Sequence, residues 1–419
     1  MGFASTWLEE RAIFPEIIKE APDKQTGIIV VIPAFDEPGI RRVLDSLAKC
    51  FEPKCKVEVI IVVNAPADAA KECIDNNNLT ILNIESWKKE NRNCFFRLFA
   101  FTAGSSVSGW GVGLARKTGM DEAVRRFNSI NNPGGIILNL DADCLVENNY
   151  FVSVYDDLLM KKDKAACSIY FEHPVSGNDF PEDIYKSITL YELHLRYYFQ
   201  GLAYSGFPFV FHTIGSAIAV KALHYIKAGG MNRRQAGEDF YFIQKLVPAG
   251  GYFSLNSTTV YPSPRTSFRV PFGTGASIGK LTNGKCPNLL TYNLMAFMEL
   301  RTFFAGTENY YDCSHEELNE YYKLLPEGLR LFSEEKEWIK KIEEIRSNTS
   351  GLLSFKKRFF GWFNMFRIVK YLNYVHQDYF EKKPVEISAS ELLDMMGIKI
   401  ESNNPTGLLL QYRTLEKNS

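Results

Sequence analysis

Two aspartates, Asp141 and Asp143, stand one residue apart shortly after the apolar run Ile136–Leu138. The run follows Pro-Gly-Gly, a turn signal, and predicts a buried strand. Because residues i and i+2 of an extended segment point to the same side, the two carboxylates would repel each other at the end of that strand. A divalent cation such as Mg²⁺ or Mn²⁺ relieves the repulsion, and carboxylate oxygens are ligands that it prefers. The spacing predicts a metal site; two solvated aspartates in a surface turn are the alternative.

A second acidic pair, Glu238 and Asp239, follows Gly237 and opens a predicted helix. The apolar residues Phe242 and Ile243 give this helix one buried face. Helix dipoles favour carboxylates in any first turn, so an ordinary acidic helix N-terminus is the alternative to a functional pair.

The strands and helices that position these acidic residues are predicted from short apolar runs, which are separated by segments long enough to form helices. Gly27–Ile32 and Val57–Val63 are β-branched runs typical of strands buried on both faces. Their alternation with helices predicts an α/β fold with a mainly parallel sheet flanked by helices. Such sheets bind ligands at the carboxyl ends of their strands, where residues 33–37, Asn64 and the two aspartates fall.

Three parts of the chain are predicted from the change in pattern: an N-terminal arm over 1–26, an α/β domain over 27–280 and a helical extension over 281–419. Within them we predict a short helix over Glu9–Glu20 and a possible strand over Leu79–Ile84.

The segment Leu352–His376 in the extension combines cations with many aromatic residues and contains no acid. Its apolar residues follow helical spacing, which favours a helix that docks on the catalytic domain. Contact with a membrane interface is the alternative.

Composition narrows the class of protein. The 419 residues are 46% hydrophobic and 23% charged, with a net charge of −1, which argues against a broad basic surface for nucleic acid. The eight cysteines form no C-x-x-C pair, so we expect a reducing, cytoplasmic setting. The sequence contains no run of about 18 apolar residues, so we expect no membrane-spanning helix.

Three motifs then occur in order: V-V-I-P-A-F-D-E, L-D-A-D and G-E-D-F. Together with G-L-A-R-K-T-G at 113–119 and H-x-x-G-S at 212–216, the set resembles family 2 glycosyltransferases with the GT-A fold. The resemblance covers roughly 27–275. It implies a nucleotide-diphospho-sugar donor, UDP- or GDP-linked, and transfer to an acceptor hydroxyl on a glycan, a lipid-linked molecule or a small molecule. It also makes contact with the inner face of a membrane a reasonable expectation.

The resemblance also implies roles for individual residues. Base and ribose would be held by Pro33, Ala34, Phe35 and Glu37, with Asn64 at a position where the family usually has Asp. Arg116 would lie near the nucleotide, Asp143 would bind Mn²⁺ or Mg²⁺, and Asp141 would help with the metal and hold ribose or sugar. Asp239 would be the catalytic base with Glu238 beside it. Arg265 and Arg269 are not part of the resemblance; they stand in a basic, glycine-containing loop and would either contact the diphosphate or be solvated surface charges.

Several alternatives stay open. The implied outcome is inversion of configuration, but retaining enzymes share much of the layout. After Asp239 the sequence offers only His315 and His376 as histidine ligands, so a third metal ligand is uncertain. A sugar nucleotidyltransferase is disfavoured because no glycine-rich loop follows the first strand. A non-catalytic sugar-nucleotide binding module is the last alternative, and Asn64 is its best support.

Overall fold

The computed structural model describes residues 2–103, 110–234, 237–266, 273–282 and 288–418. Its contacts divide the chain into two units. The first consists of Met1–Phe180, Phe211–Ser277 and Lys417–Ser419, and the second of Pro181–Val210 and Ile278–Glu416. The domain boundaries expected from the sequence, 27–280 and 281–419, stay a prediction.

The first unit contains, within the described residues, an eight-stranded sheet with the order β3-β2-β1-β4-β7-β6-β8-β5. The strands are β1 (Thr26–Ala34), β2 (Lys56–Asn64), β3 (Phe96–Ala103), β4 (Ile136–Asn139), β5 (Leu145–Val146), β6 (Ala166–Phe171), β7 (Ile218–Lys221) and β8 (Tyr252–Tyr261). In this sheet β7 runs antiparallel to both of its neighbours, and β5 runs antiparallel to β8. The other strands share one direction, so the predicted mainly parallel α/β sheet is confirmed.

The helices follow the strands in alternation and then fill the C-terminal region, as predicted. They are α1 (Ser5–Arg11), α2 (Ile40–Ala48), α3 (Lys71–Glu90), α4 (Val112–Ser129), α5 (Tyr150–Val154), α6 (Glu182–Tyr204), α7 (Ala222–Lys227), α8 (Glu238–Leu246), α9 (Thr274–Thr282), α10 (Leu294–Ala305), α11 (Thr307–Tyr311), α12 (His315–Leu324), α13 (Glu327–Phe332), α14 (Glu335–Ser347), α15 (Leu352–Trp362), α16 (Met365–Asp378), α17 (Val385–Met395) and α18 (Pro405–Lys417). No helix in the described ranges is both long and apolar enough to cross a bilayer.

The centre of the sheet is buried on both faces. Every residue of β1 is buried, and so is all of β2 after Lys56. Helix α4 packs on both strands and is itself almost wholly buried. Continuous β-branched runs suit this environment because neither face of such a strand meets water.

Two local predictions are wrong for identifiable reasons. The segment Leu79–Ile84 belongs to α3, where Thr80, Ile84 and Trp87 are buried at helical rather than alternating spacing. The arm is helical over Ser5–Arg11 instead of Glu9–Glu20.

After α1 the arm contains Pro15, which fixes its own φ and cannot donate a backbone hydrogen bond. Beyond it the N–H groups of Ile17 and Ile18 donate to the carboxylate of Glu122 on α4. The carboxylate therefore satisfies backbone donors that a continued helix would have paired internally.

The second unit is a helical assembly with a short antiparallel strand pair, β9 (Leu290–Thr291) and β10 (Lys383–Pro384). Arg413 on α18 donates from Nε and Nη2 to the two carboxylate oxygens of Glu192 on α6, each at 2.8 Å. Arg196 donates from Nη1 to Oε2 of Glu416 at 2.6 Å. These four charged side chains are buried, so their charges are compensated mainly by one another.

The basic aromatic segment lies in this second unit as two helices, α15 and α16. Phe355, Phe359 and Phe363 are buried, and the rings of Phe359 and Phe363 lie 5.3 and 4.8 Å from the ring of Phe303. Asn364 caps α16 by accepting a hydrogen bond from the Arg367 N–H, which explains the break within the predicted helix. These three rings are thus covered by packing inside the unit.

Candidate active site

The carboxyl ends of four neighbouring parallel strands, β3, β2, β1 and β4, meet at one edge of the sheet. Asn139 at the end of β4 pairs with Val31, and the next N–H, that of Leu140, donates to the Val31 carbonyl at 3.1 Å. This pairing carries the chain out of the sheet just before Asp141 and Asp143. The strand predicted from the sequence therefore ends just before the two aspartates, which leaves both of them at the carboxyl edge of the sheet.

Arg116 links the two acidic motifs. Its guanidinium donates from Nη2 to Asp141 and from Nη1 to Glu238, although these residues are 25 and 122 positions away in sequence. The Arg116 side chain is 5% exposed. Burial opposes its charge, but Asp141 and Glu238 outweigh that effect and raise the pKa of Arg116, so the group stays cationic.

Two glycines permit this close packing. A Cβ on Gly215 would lie 2.3 Å from Nη1 of Arg116, and a Cβ on Gly113 would lie 2.2 Å from the carbonyl oxygen of Arg234. Any side chain at these positions would displace the guanidinium or the α4 terminus. The close packing at this site thus explains why glycine is needed at Gly113 in G-L-A-R-K-T-G and at Gly215 in H-x-x-G-S.

Arg265 makes the corresponding link on the other side of the aspartates. Its Nε lies 2.6 Å from Oδ2 of Asp143, and its Nη2 donates to Glu37. Glu37 and Asp143 outweigh the desolvation of the guanidinium and raise its pKa. The Arg265 side chain remains 30% exposed, so an anionic ligand can reach it. Arg269 lies outside the described residues.

Glu238 and Asp239 differ in environment although they are neighbours. Glu238 is buried and ion-paired with Arg116; burial raises its pKa to about 7, and the proximity of Asp239 adds to the rise. Asp239 is partly exposed. Burial of its carboxyl raises its pKa, while Arg116 and the N–H of Phe240, which donates to Oδ1 at 2.7 Å, act against the rise. Asp239 is therefore the member of the pair that a substrate can approach.

The first-strand turn contains one residue that the sequence did not single out. Pro33 and Ala34 are buried within β1, while Phe35 and Asp36 are partly exposed. Asp36 adopts φ +56°, a left-handed conformation that costs a non-glycine residue about 1 kcal/mol or more. Pro33 and Ala34 thus shape the turn, and their side chains are not presented to a ligand.

Side chains from α3 hold Asp36 in this conformation. Asn77 Oδ1 accepts from the Asp36 N–H at 2.9 Å, and Asn76 Nδ2 donates to Asp36 Oδ1 at 2.6 Å. The three successive asparagines 76–78 were the available sequence signal, because amide side chains supply such local hydrogen bonds.

Asn64 occupies a different environment from the one expected of a nucleotide contact. It is 4% exposed, and its Nδ2 donates to the carbonyls of Ala34 at 3.0 Å and Val62 at 3.3 Å. Its Oδ1 accepts from Nε1 of Trp110 at 3.1 Å. The amide group thus joins the ends of β1 and β2, and both of its donor hydrogens are used within the protein.

The aspartate pair has the chemistry of a divalent cation site. Asp141 and Asp143 side chains are 37% and 26% exposed, and Mg²⁺ is commonly held by one or two carboxylates with phosphate oxygens and water. The described residues contain no cluster of three or more His, Cys, Asp or Glu side chains that could hold a metal. The pair therefore fits a cation that takes further ligands from a bound diphosphate.

The sequence matches no family model and no curated protein. Among solved structures, S. aureus TarS 1–349 with UDP-GlcNAc is 15% identical, with a TM-score of 0.40 over 78% of this chain and 89% of that chain. The structure of the same TarS fragment with UDP is also similar, and there this chain covers 64% of the fragment's length.

Two further solved structures are similar at the same low level. The mannosyltransferase PcManGT from Pyrobaculum calidifontis with GDP-Man and Mn²⁺ is 13% identical, with a TM-score of 0.37 over 99% and 92% of the two chains. Glucosyl-3-phosphoglycerate synthase from Mycobacterium tuberculosis with UDP is 14% identical, with a TM-score of 0.34 over 66% and 80%.

Proposed function

We propose that this protein is a glycosyltransferase that moves a sugar from a nucleotide-diphospho-sugar, UDP- or GDP-linked, to an acceptor hydroxyl. One observation carries the proposal: two arginines join all three sequence motifs at a single edge of the sheet. Arg116 connects L-D-A-D with G-E-D-F, and Arg265 connects L-D-A-D with P-A-F-D-E. Segments more than 200 residues apart thus contribute to one cluster of cations and carboxylates.

The two arginines suit the donor's diphosphate. Guanidinium groups form strong, directional hydrogen bonds with phosphate oxygens, and negative charge develops on the diphosphate as the sugar–phosphate bond breaks. Arg265 is the accessible one, and Arg116 holds Asp141 in place from below the surface. Asp143, with Asp141, would hold Mn²⁺ or Mg²⁺, which when bound neutralises charge on the diphosphate.

Asp239 is proposed as the general base. An acceptor hydroxyl becomes an effective nucleophile as its proton is removed, and a base whose pKa lies nearer to the working pH does this better. The raised pKa of Asp239 fits that need, and the ion pair of Glu238 with Arg116 leaves Asp239 as the available acceptor. Direct attack on the anomeric carbon with Asp239 as the base would invert the configuration.

The alternatives have less support from the site. A retaining transferase would not need a base beside the acceptor, and a non-catalytic binding module would not need the Glu238–Asp239 pair. For a sugar nucleotidyltransferase, the first-strand turn lacks glycines to cradle a triphosphate; its residues are Phe35, Asp36 and Glu37.

The acceptor class, a glycan, a lipid-linked molecule or a small molecule, remains part of the proposal to be tested. We also propose a reducing compartment, because the seven described cysteines form no disulfide. Peripheral membrane contact has one local support: Lys357, Arg358 and the 86% exposed Leu353 lie on the surface of α15. Co-sedimentation with anionic liposomes, at low and high salt, tests it against replacement of both cations by Ser.

The direct test of the function is a panel of UDP- and GDP-sugars incubated with the protein and Mn²⁺. Released nucleoside diphosphate is measured with and without candidate acceptors. Turnover of at least one donor is expected, and the anomeric configuration of the product decides between inversion and retention.

A further inference from the structure

Asn139 is a buried amide just below the two aspartates. It is the last residue of β4 and is 0% exposed. Among the described residues, neither its Oδ1 nor its Nδ2 has a hydrogen-bond partner. Buried amides are nearly always hydrogen-bonded, because an amide that leaves water without a replacement partner destabilises the fold. The protein groups around Asn139 therefore do not account for a polar residue at this position.

The guanidinium of Arg116 has one unmatched donor as well. Its Nη1 and Nη2 donate to Glu238 and Asp141, whereas its Nε is buried and has no acceptor in the described part of the chain. A charged donor loses more free energy than a neutral one when it is buried without an acceptor. The cation that joins the two acidic motifs is thus held at only one end of its fork.

Helix α4 and strand β4 pack side by side in opposite directions, which places Asn139 close to Arg116. At one end of the pair a Cβ on Gly135 would lie 2.2 Å from the ring of Phe127, and at the other end Arg116 donates to Asp141. Alternate residues of a strand point to the same face, so Asn139 faces α4 as Gly135 does. Its amide therefore lies one step below the carboxylate to which the guanidinium is bonded.

We infer that Asn139 is a positioning residue of the proposed active site, which fixes Arg116 through buried water between its amide and the Nε of Arg116. This inference rests on the proposed function. Water can accept from Nε and donate to Oδ1 of Asn139, and buried waters typically make about three hydrogen bonds to polar groups that have no other partner. A guanidinium fixed at Nε as well as at both Nη atoms stays aligned with Asp141 and Glu238.

A crystal structure of the wild type tests the bridge without any variant. We expect an ordered water within about 3.2 Å of both the Nε of Arg116 and an amide atom of Asn139. If no water lies between the two groups in a map that shows other buried waters, the inference is overturned.

The replacement Asn139→Leu tests the effect on the reaction. Leucine has a similar size but cannot bind water, so kcat should fall by about tenfold or more as Arg116 loses its alignment. Affinity for the donor should stay within about twofold. The melting temperature should not fall, because an apolar side chain replaces a buried amide that has no partner in the protein. A residue needed only for the fold would give the opposite pattern, a lower melting temperature with kcat retained.

Two further variants serve as controls. Asn139→Thr keeps a hydroxyl that can donate to and accept from water, so its kcat should stay within about threefold of the wild type. Thr258→Val removes a hydroxyl in β8 that is likewise 0% exposed and without a partner among the described residues, and its kcat should match the wild type.

The contrary outcomes are distinct. Full kcat in Asn139→Leu, or an equal loss of kcat in the Leu and Thr variants, overturns the positioning role of Asn139 and leaves the proposed function in place. If Asn139→Leu does not fold, the crystal structure of the wild type decides. If the wild type turns over no donor, the proposed function is overturned and this inference with it.

Discussion

The Nε of Arg265 lies 2.6 Å from Oδ2 of Asp143. The guanidinium is therefore ion-paired with the carboxylate that we propose binds a divalent cation. Two positive groups compete for one carboxylate in this arrangement. Binding of the cation at Asp143 would therefore release Arg265 toward the diphosphate.

The variant Arg265→Gln tests this competition. Removing the guanidinium should raise the affinity of the protein for Mn²⁺ by several fold, because Asp143 no longer has to exchange partners. Affinity for UDP should fall, since a cation is lost from the diphosphate end. Mn²⁺ binding is measured by electron paramagnetic resonance without substrate, with the exposed Arg92→Gln as the control. Unchanged Mn²⁺ affinity would show that the two cations do not share Asp143.

Asp143→Asn removes the charge while retaining the shape. Turnover should be lost and Mn²⁺ should no longer stimulate the reaction, because a neutral amide is a poor ligand for a hard cation. The melting temperature should stay close to that of the wild type because the side chain is partly exposed. Full turnover with an unchanged Mn²⁺ response would exclude Asp143 as a ligand.

Asp239→Asn removes the proposed proton acceptor. The value of kcat should fall by about two to four orders of magnitude with little change in donor affinity. Donor binding by calorimetry and turnover by nucleoside diphosphate release separate the two effects. Near-normal kcat would assign the base to another group or favour a retaining mechanism.

The pH dependence follows from the same residue. A general base must be ionised, so activity is lost as the pH falls through its pKa, which burial raises above the ordinary aspartate value of about 3.9. The acid limb of kcat/KM should therefore lie above the pH range in which an ordinary aspartate titrates, and protonation of Glu238, with a pKa of about 7, should weaken its pair with Arg116 in the same direction. An acid limb at or below pH 4 would contradict the assignment.

Arg413→Met tests the buried charges of the second unit. Glu192 would lose one cation while keeping Arg196, so we expect a loss of stability near the lower end for broken buried pairs, about 3 kcal/mol. Urea unfolding measures the change, and the exposed Arg330→Met should be nearly neutral. Equal stability of the two variants would mean that the Arg413–Glu192 pair contributes little net free energy.

The sequence was sufficient for the sheet and for the acidic motifs because these are local signals. β-branched runs predict buried strands, and Asp141 and Asp143 follow directly from the end of one. The left-handed turn at Asp36 was not predicted, because its cause lies in the α3 side chains of Asn76 and Asn77, some 40 residues away.

Ion pairs between residues far apart in the chain could not be predicted from the sequence either. Arg265 and Glu37 are 228 residues apart, and no local pattern indicates that they meet. Asn64 was interpreted from the usual chemistry of its position, but the donors and acceptors that surround it decide its role. The helix that replaced the expected strand over Leu79–Ile84 shows the same limit, since burial at helical spacing overrides β propensity.

We propose that the cluster joined by Arg116 and Arg265 transfers sugar from a nucleotide-diphospho-sugar. The most direct measurement is release of UDP or GDP from a donor panel by the wild type and by Asp239→Asn, with Mn²⁺ present. The wild type should turn over at least one donor, and the variant should bind this donor equally well but turn it over at least about a hundredfold more slowly. Failure of the wild type to bind or turn over any donor in the panel would contradict it.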